Sequence, residues 1–424
     1  MPDRVLKTAP AATVTRRRFL SRSLGWTALA LLAPASLAAS ASRGAARQGE
    51  EEAAWRLLDR AHPARYWVST AAAGVDCSRC HGSELFSEPA HDHGQVFIRC
   101  ELCAQKCMIG EGERGRCRTR INLDGRLLSL VYGRPVSVHI DPIEKKPFYH
   151  FLPGSQALSL ATTGCPLSCK FCQNWQISQA QPEDYQIRYT PPEAVVRAAS
   201  DRQVPVIAYT YNEPTVFAEY LMDIARSGRE QHLSSVMVSC GFANPGPMAD
   251  LCDLLDAVKI DLKGFSREFY RTVCGGELDP VLSNIRLVAR RGVHLEIVNL
   301  VVPTLNDSDP MIEALVRWIV GEVGPDVPVH FTRFHPDYQL RNLPPTPVST
   351  LERAYETAKK HGMNYPYVGN VPGHPGNNTY CPGCGRAVIR RTGFFVTGID
   401  IKNGACAFCG HAIAGVFKPV YGSG

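Results

Sequence analysis

The sequence predicts an α/β protein: a full or partial (β/α) barrel, preceded by a metal-rich N-terminal region and followed by a zinc ribbon. Three observations predict this. Short apolar runs rich in β-branched residues alternate with amphipathic stretches of helical length between residues 157 and 371. Thirteen of the sixteen cysteines fall into tight clusters, too close together for relaxed disulfides and better suited to metals. Two C-x2-C knuckles lie near the end of the chain. The bulk numbers agree with a large buried core. There are 424 residues, 45% of them apolar and 20% charged, which are ordinary globular values. The net charge of +6 comes mostly from Arg4, Lys7, Arg16, Arg17, Arg18 and Arg22. Beyond them the balance is near neutral, which gives no ground for a nucleic-acid partner or an anionic membrane.

The first element is a leader. Arg16-Arg17-x-Phe19-Leu20 precedes a weakly apolar stretch, Leu24 to Leu37, and Ala39-Ser40-Ala41 offers a cleavage site. That is a signal-peptide layout, and the arginine pair resembles the twin-arginine signal, whose route exports folded proteins. The stretch is short for a span of about 20 residues and Pro34 interrupts it. Residues 1–41 are therefore expected to direct the protein to the periplasm or another extracytoplasmic site, with no transmembrane span left in the mature chain.

Residues 49–156 are loop-rich. Cys77-x2-Cys80-His81 has the c-type haem attachment pattern, and the same pair could instead join Cys100-x2-Cys103 around zinc. Cys100, Cys103, Cys107 and Cys117 can together hold one metal. Zinc and an auxiliary iron–sulfur cluster are both open.

The strand candidates follow in order: "ALSLATTG", "VPVIAYTY", "SSVMVSC", "AVKIDL", "HLEIVNLVVP", "VPVHFTRF" and "YPYVGNV". Helical patterns separate them at Glu193–Arg202, Thr215–Arg226, Met248–Leu255, Pro280–Arg291, Asp309–Val320 and Thr350–His361. In such a fold the strand C-terminal ends form the active face. The loop after the first strand, "TTGCPLSCKFCQNW", carries Cys165, Cys169 and Cys172. Three thiolates cannot close a structural zinc site. On a 4Fe–4S cluster they would leave one iron open to a small molecule.

That C-x3-C-x2-C spacing, with Phe171 before the last cysteine and Asn174-Trp175 after it, resembles the signature of radical S-adenosylmethionine enzymes. The resemblance implies a 4Fe–4S cluster whose open iron is chelated by S-adenosylmethionine. One electron from a low-potential donor then cleaves the sulfonium, and the 5′-deoxyadenosyl radical abstracts hydrogen from a substrate. Further residues carry over onto the strand ends. Asn212-Glu213-Pro214 stands where the family usually has Gly-Gly-Glu-Pro, with Glu213 facing the methionine ammonium. Ser239 ends the next strand. Asp261 and Lys263 match an Asp-x-Lys pair of activating enzymes, although a plain ion pair would explain them too. Val302 falls on the adenine side and His335 near the ribose. "CELCAQKCMIGEGERGRC", "CQNWQIS" and "VGNVPGHPGNNTYCPGCG" are similar to the radical component of the AmmeMemoRadiSam system, over roughly residues 97–420. Those proteins are related to pyruvate-formate-lyase activating enzymes, which implies a reaction class but leaves the substrate open, a protein being one option.

Cys381-x2-Cys384 and Cys406-x2-Cys409 close the chain as an expected zinc ribbon over residues 372–424. Against the enzyme reading stands an exported iron–sulfur or haem electron carrier, which would have no need of a pocket at Glu213, Asp261, Lys263 and His335.

Overall fold

The computed structural model describes residues 57–69 and 97–419. The leader and Cys77, Cys80 and His81 lie outside them. One eight-stranded sheet organises the described chain. Its strands are β1 (Ser137–Pro142), β2 (Gln156–Ala161), β3 (Val206–Tyr209) and β4 (Ser234–Ser239). They continue with β5 (Ala257–Asp261), β6 (His294–Val301), β7 (Val329–Arg333) and β8 (Pro366–Gly369). Strands β2 to β8 are parallel and stand in sequence order. Each apolar run that the sequence marks as a strand forms one of them. The runs read as continuously apolar because parallel strands are buried on both faces, and all four residues of β3 are buried.

Parallel neighbours require crossovers. Here the crossovers are the helices α1 (Pro192–Ser200), α2 (Ala218–Glu230), α3 (Pro245–Cys252), α4 (Leu278–Arg290), α5 (Asp309–Glu322) and α6 (Val348–Lys360). Their buried faces keep helical spacing. In α4 these are Leu278, Val281, Leu282, Ile285 and Val288, each contributing roughly 1.5–3 kcal/mol by burial. Pro192 opens α1 at a position where a missing N–H costs nothing.

The sheet does not close. Its ends are β8 and β1, with no pairing between them, so a full barrel is not formed. Strand β1 is antiparallel to β2, from Ser137 opposite Ala161 to Pro142 opposite Gln156. It occupies the edge that a closing strand would use.

Two small antiparallel sheets precede the large one: His62–Pro63 with Arg126–Ser129 and Arg120–Leu123, and Trp67–Ser69 with Ile98–Cys100 and Met108–Ile109. A buried ion pair ties them to α2: Arg120 Nη2 donates to both Glu219 carboxylate oxygens at 2.7 Å, and Nη1 donates to the Arg65 carbonyl at 2.9 Å.

At the other end, β9 (Thr379–Tyr380), β10 (Ala387–Thr392) and β11 (Phe395–Ile399) form a three-stranded antiparallel sheet. It shares a core with the main body: Cys381, Val388, Cys406 and Ile413 pack with Tyr149, Tyr365 and Tyr367. Polar contacts reinforce the joint. The Arg391 guanidinium donates to the Tyr149 carbonyl (2.7 Å) and lies 4.1 Å above the Tyr149 ring. His150 meets the Ala414 carbonyl and the Tyr367 hydroxyl, both at 2.5 Å. The fully buried Glu296 carboxylate accepts from the backbone of Tyr149 and His150 and from His330. Among the described residues no helix is long and apolar enough to cross a membrane.

Candidate active site and metal centres

The loop after β2 carries Cys165, Cys169 and Cys172, and all three line one cavity of about 430 Å³ at the strand C-terminal ends. Backbone hydrogen bonds fix the loop: Ser168 N to Cys274 O (2.9 Å) and Lys170 N to Val273 O (3.0 Å). Glycine is required on both sides of this contact. Gly275 has φ +70°, and a Cβ there would lie 2.3 Å from Ser168 Oγ. Gly164 has φ +88°, and a Cβ would lie 2.4 Å from the Cys117 carbonyl oxygen.

The segment after β3 supplies the next wall. Asn212 Nδ2 donates to Gly164 O (2.8 Å) and Thr163 O (3.3 Å), clamping the start of the cysteine loop. Its Oδ1 is buried without a hydrogen-bond partner. Asn174 reaches from the loop to the Tyr211 carbonyl at 2.8 Å. Tyr211 itself has φ +71°. A left-handed backbone shape is thus held here by tyrosine, at a cost of about 1–2 kcal/mol. Its ring is anchored: the hydroxyl donates to Asp141 Oδ2 (2.7 Å) and Lys146 Nζ sits 4.4 Å above the ring.

Glu213 is 2% exposed, and protein donors occupy its carboxylate. Ser239 Oγ donates at 2.8 Å, Cys240 N at 2.7 Å and Thr215 Oγ1 at 3.0 Å. It ties the end of β3 to the end of β4, and Ser239 is spent on the same contact. Both residues line the cavity. Asp261 and Lys263 line it too and form an ion pair at 3.3 Å, with Lys259 also on Asp261. The pair thus forms the plain ion pair and also faces the cavity. Burial works against the Asp261 charge, but Lys259 and Lys263 outweigh it and hold the carboxyl below its usual range. Burial likewise opposes the Lys263 charge, and Asp261 with the nearby thiols reverses that and raises it.

Two expected residues are not brought to the cavity. Val302 is fully buried in the core and its N–H is taken by Asn306 Oδ1 at 2.6 Å. His335 is exposed beyond the end of β7. Val298, Leu300, Thr332 and Asn370 line that side instead. Sequence reasoning missed Lys145, Lys146 and Tyr211. Lys146 is 3% exposed, and its ammonium is 2.7 Å from Asp141 and 3.1 Å from the Tyr211 hydroxyl. Burial pushes Lys146 down, against its pairing with Asp141. Burial also disfavours the Asp141 charge, yet Lys145, Lys146 and Tyr211 keep it well below the usual carboxylate range. The adjacent lysines before Pro147 were the one available signal. Phe394, on the turn between β10 and β11, completes the lining. Cys240, Cys252 and Cys274 are buried, as lone cysteines are expected to be, and Cys240 also lines the cavity.

In the C-terminal sheet, Cys381, Cys384, Cys406 and Cys409 hold their sulfurs within 4.8 Å of one another. The Cys381–Cys409 separation is 3.6 Å and Cys384–Cys406 is 3.8 Å. A tetrahedron with bonds of about 2.3 Å has edges of about 3.8 Å, so this set fits one metal ion. Among the described residues no other three His, Cys, Asp or Glu ligand atoms lie so close. The sulfurs of Cys165, Cys169 and Cys172 thus do not all lie within 4.8 Å of one another. That fits a cluster in which each thiolate meets a different iron.

A family model described as the Radical SAM superfamily matches residues 159–319. An uncharacterized protein of Methanocaldococcus jannaschii is 43% identical over 318 residues, covering 74% of this chain and 95% of that protein. The pyruvate formate-lyase-activating enzyme of Clostridium pasteurianum is 23% identical, over 42% of this chain and 80% of its own. The isethionate sulfite-lyase activating enzyme of Oleidesulfovibrio alaskensis is 25% identical, over 26% of this chain and 37% of its own. With the cysteine loop at the head of the matched segment and the cavity walled by its strand ends, the chain belongs to the radical S-adenosylmethionine enzymes.

Proposed function

We propose that the chain abstracts hydrogen from a protein substrate, in the manner of an activating enzyme. A 4Fe–4S cluster on Cys165, Cys169 and Cys172, once reduced by a low-potential donor, would supply reductive cleavage of S-adenosylmethionine to methionine and a 5′-deoxyadenosyl radical. The observation that carries this reading is the shared cavity: three thiols and the polar ends of successive parallel strands face one space. An electron carrier has no need of that space, so the carrier alternative is not favoured. The residues divide the work. Asn212 and Asn174 hold the loop in register, and Asn212 Oδ1 remains as an unused acceptor. Glu213 and Ser239 keep two strand ends together. Lys263 and Lys146 place positive charge at the wall, suited to a carboxylate. The activating-enzyme relatives support a protein as substrate.

We further propose zinc at Cys381, Cys384, Cys406 and Cys409, making the C-terminal sheet a zinc ribbon. The leader would send the protein out of the cytoplasm already folded and metal-loaded. The haem reading of Cys77, Cys80 and His81 stays a proposal beside these.

The test is anaerobic. Dithionite-reduced protein should form 5′-deoxyadenosine, and substituting Cys165, Cys169 and Cys172 by Ala should abolish it. Full activity in the triple variant would end this reading. For export, Arg16→Lys with Arg17→Lys should leave the protein inside the cell with its cluster intact. Finding the unaltered protein cytoplasmic, with residues 1–41 still attached, would overturn the route but leave the chemistry standing.

A further inference from the structure

We infer that Cys100, Cys103, Cys107 and Cys117 bind a second iron–sulfur cluster, closed by four thiolates and confined to electron transfer.

These four cysteines line one small buried cavity. A single zinc ion would draw their sulfurs to about 3.8 Å from one another, as in the C-terminal sheet. Here no three of them lie within 4.8 Å of one another. A four-iron cluster places each thiolate on a separate iron and so needs the wider set.

The surroundings suit a cluster as well. The Arg116 backbone N–H points at Cys107 Sγ (3.4 Å) and the Thr119 hydroxyl contacts Cys117 Sγ (3.2 Å). Such contacts stabilise anionic sulfur. Arg120 lines the cavity, is fully buried, and its Nε has no hydrogen-bond partner. A buried guanidinium nitrogen left unpaired costs about 1–3 kcal/mol or more. A sulfide or thiolate acceptor in the cavity would remove that cost.

The cavity is also built onto the active face. Pro166, next to Cys165, forms part of its wall, as do Thr215 and Val216 from the segment after β3. Gln105 Nε2 donates to Pro166 O at 2.8 Å, and Cys103 pairs with Ala243 in the loop after β4. With four protein ligands no iron is left open, so this cluster binds no S-adenosylmethionine. Held by Cys100, Cys103, Cys107 and Cys117, such a cluster would supply one-electron transfer, reduced by a low-potential donor and oxidised again with no bond made or broken.

This inference stands apart from the proposed reaction, because it concerns different thiols. The experiment uses the full chain reconstituted anaerobically with iron, sulfide and zinc all present. The variant with Cys165, Cys169 and Cys172 changed to Ala should retain about four irons and four sulfides. Reduced by dithionite, it should give a paramagnetic signal that S-adenosylmethionine does not alter. Adding Cys100→Ser and Cys117→Ser should remove that iron, whereas adding Cys77→Ser and Cys80→Ser should leave it. Should the triple variant not fold, the unaltered protein should show two reduced signals, one sensitive to S-adenosylmethionine and one not. A second zinc per chain in place of iron, or iron that depends on Cys77 and Cys80, would overturn the assignment. If instead the S-adenosylmethionine-sensitive signal alone is missing, it is the proposed reaction that fails.

Discussion

Two four-cysteine regions flank the sheet, and both begin with C-x2-C. In the C-terminal one the sulfurs pair at 3.6 and 3.8 Å. In the N-terminal one the sulfurs surround a cavity and stay apart. The difference lies in what completes each set. The C-terminal knuckle faces a second knuckle, and tight turns bring the two together: Gly385 N bonds Cys381 O, and Gly410 N bonds Cys406 O. The N-terminal knuckle shares its cavity with Cys107, just before the strand Met108–Ile109, and with Cys117 on a turn, and the four have no such symmetry. A C-x2-C pair is thus half a site, and the other half sets its size.

This comparison can be tested, beginning where the effect should be largest. Cys406→Ser should release zinc and unfold the C-terminal sheet while iron content holds, because metal affinity in such a site is folding free energy. Metal analysis beside a thermal melt would read both, and zinc retained in full would remove the distinction. Next, Glu296→Gln should destabilise the joint beneath that sheet by about 3 kcal/mol, since it leaves His330 and two backbone donors poorly matched in a buried site. A change below 1 kcal/mol in urea melts would show that the C-terminal sheet holds without it.

Gly164→Ala probes the other region. It forces a Cβ into the Cys117 carbonyl and Thr119, so about 2–3 kcal/mol of strain should fall on both cysteine loops proposed to bind iron. Iron should drop while zinc stays at one per chain; equal loss of both metals would contradict the separation. The smallest effect is a pH dependence. Burial pushes the His150 imidazole down to about 3. Below its ordinary value of 6.5 the unfolded chain binds a proton that the folded chain refuses. Stability should therefore fall as pH drops from 6.5 towards 3, by at most about 1.4 kcal/mol per unit for this group. His150→Gln should flatten that slope, and an unchanged slope would place its origin elsewhere.

Much of the fold was legible in the sequence, and for a definite reason. Strands buried on both faces must be apolar throughout, and amphipathic helices must keep their period, so all seven parallel strands and six crossovers announced themselves. Strand β1 did not. As an edge strand it exposes Val138, His139 and Ile140, and its pattern resembles a loop. The cysteine loop was legible because ligand spacing is a local property. Glu213, Ser239, Asp261 and Lys263 were legible as cavity residues because each lies at or just beyond a strand end. Lys146 and Tyr211 were harder: Tyr211 meets Asp141 and Lys146 from 70 and 65 residues away, and an aromatic in a left-handed backbone shape leaves no periodic signal.

By itself, then, the sequence determined the alternation of strands and helices, the three-thiol loop and the presence of two further thiol groups, all of which depend on near neighbours along the chain. Only the tertiary structure decided that the sheet stays open, that His335 and Val302 stand away from the cavity while Lys146 enters it, and that one thiol group brings four sulfurs within 4.8 Å while no three of the other come so close. Each of these is a distance between segments far apart in sequence, and such distances are set by the packing of the whole chain rather than by the residues that display them.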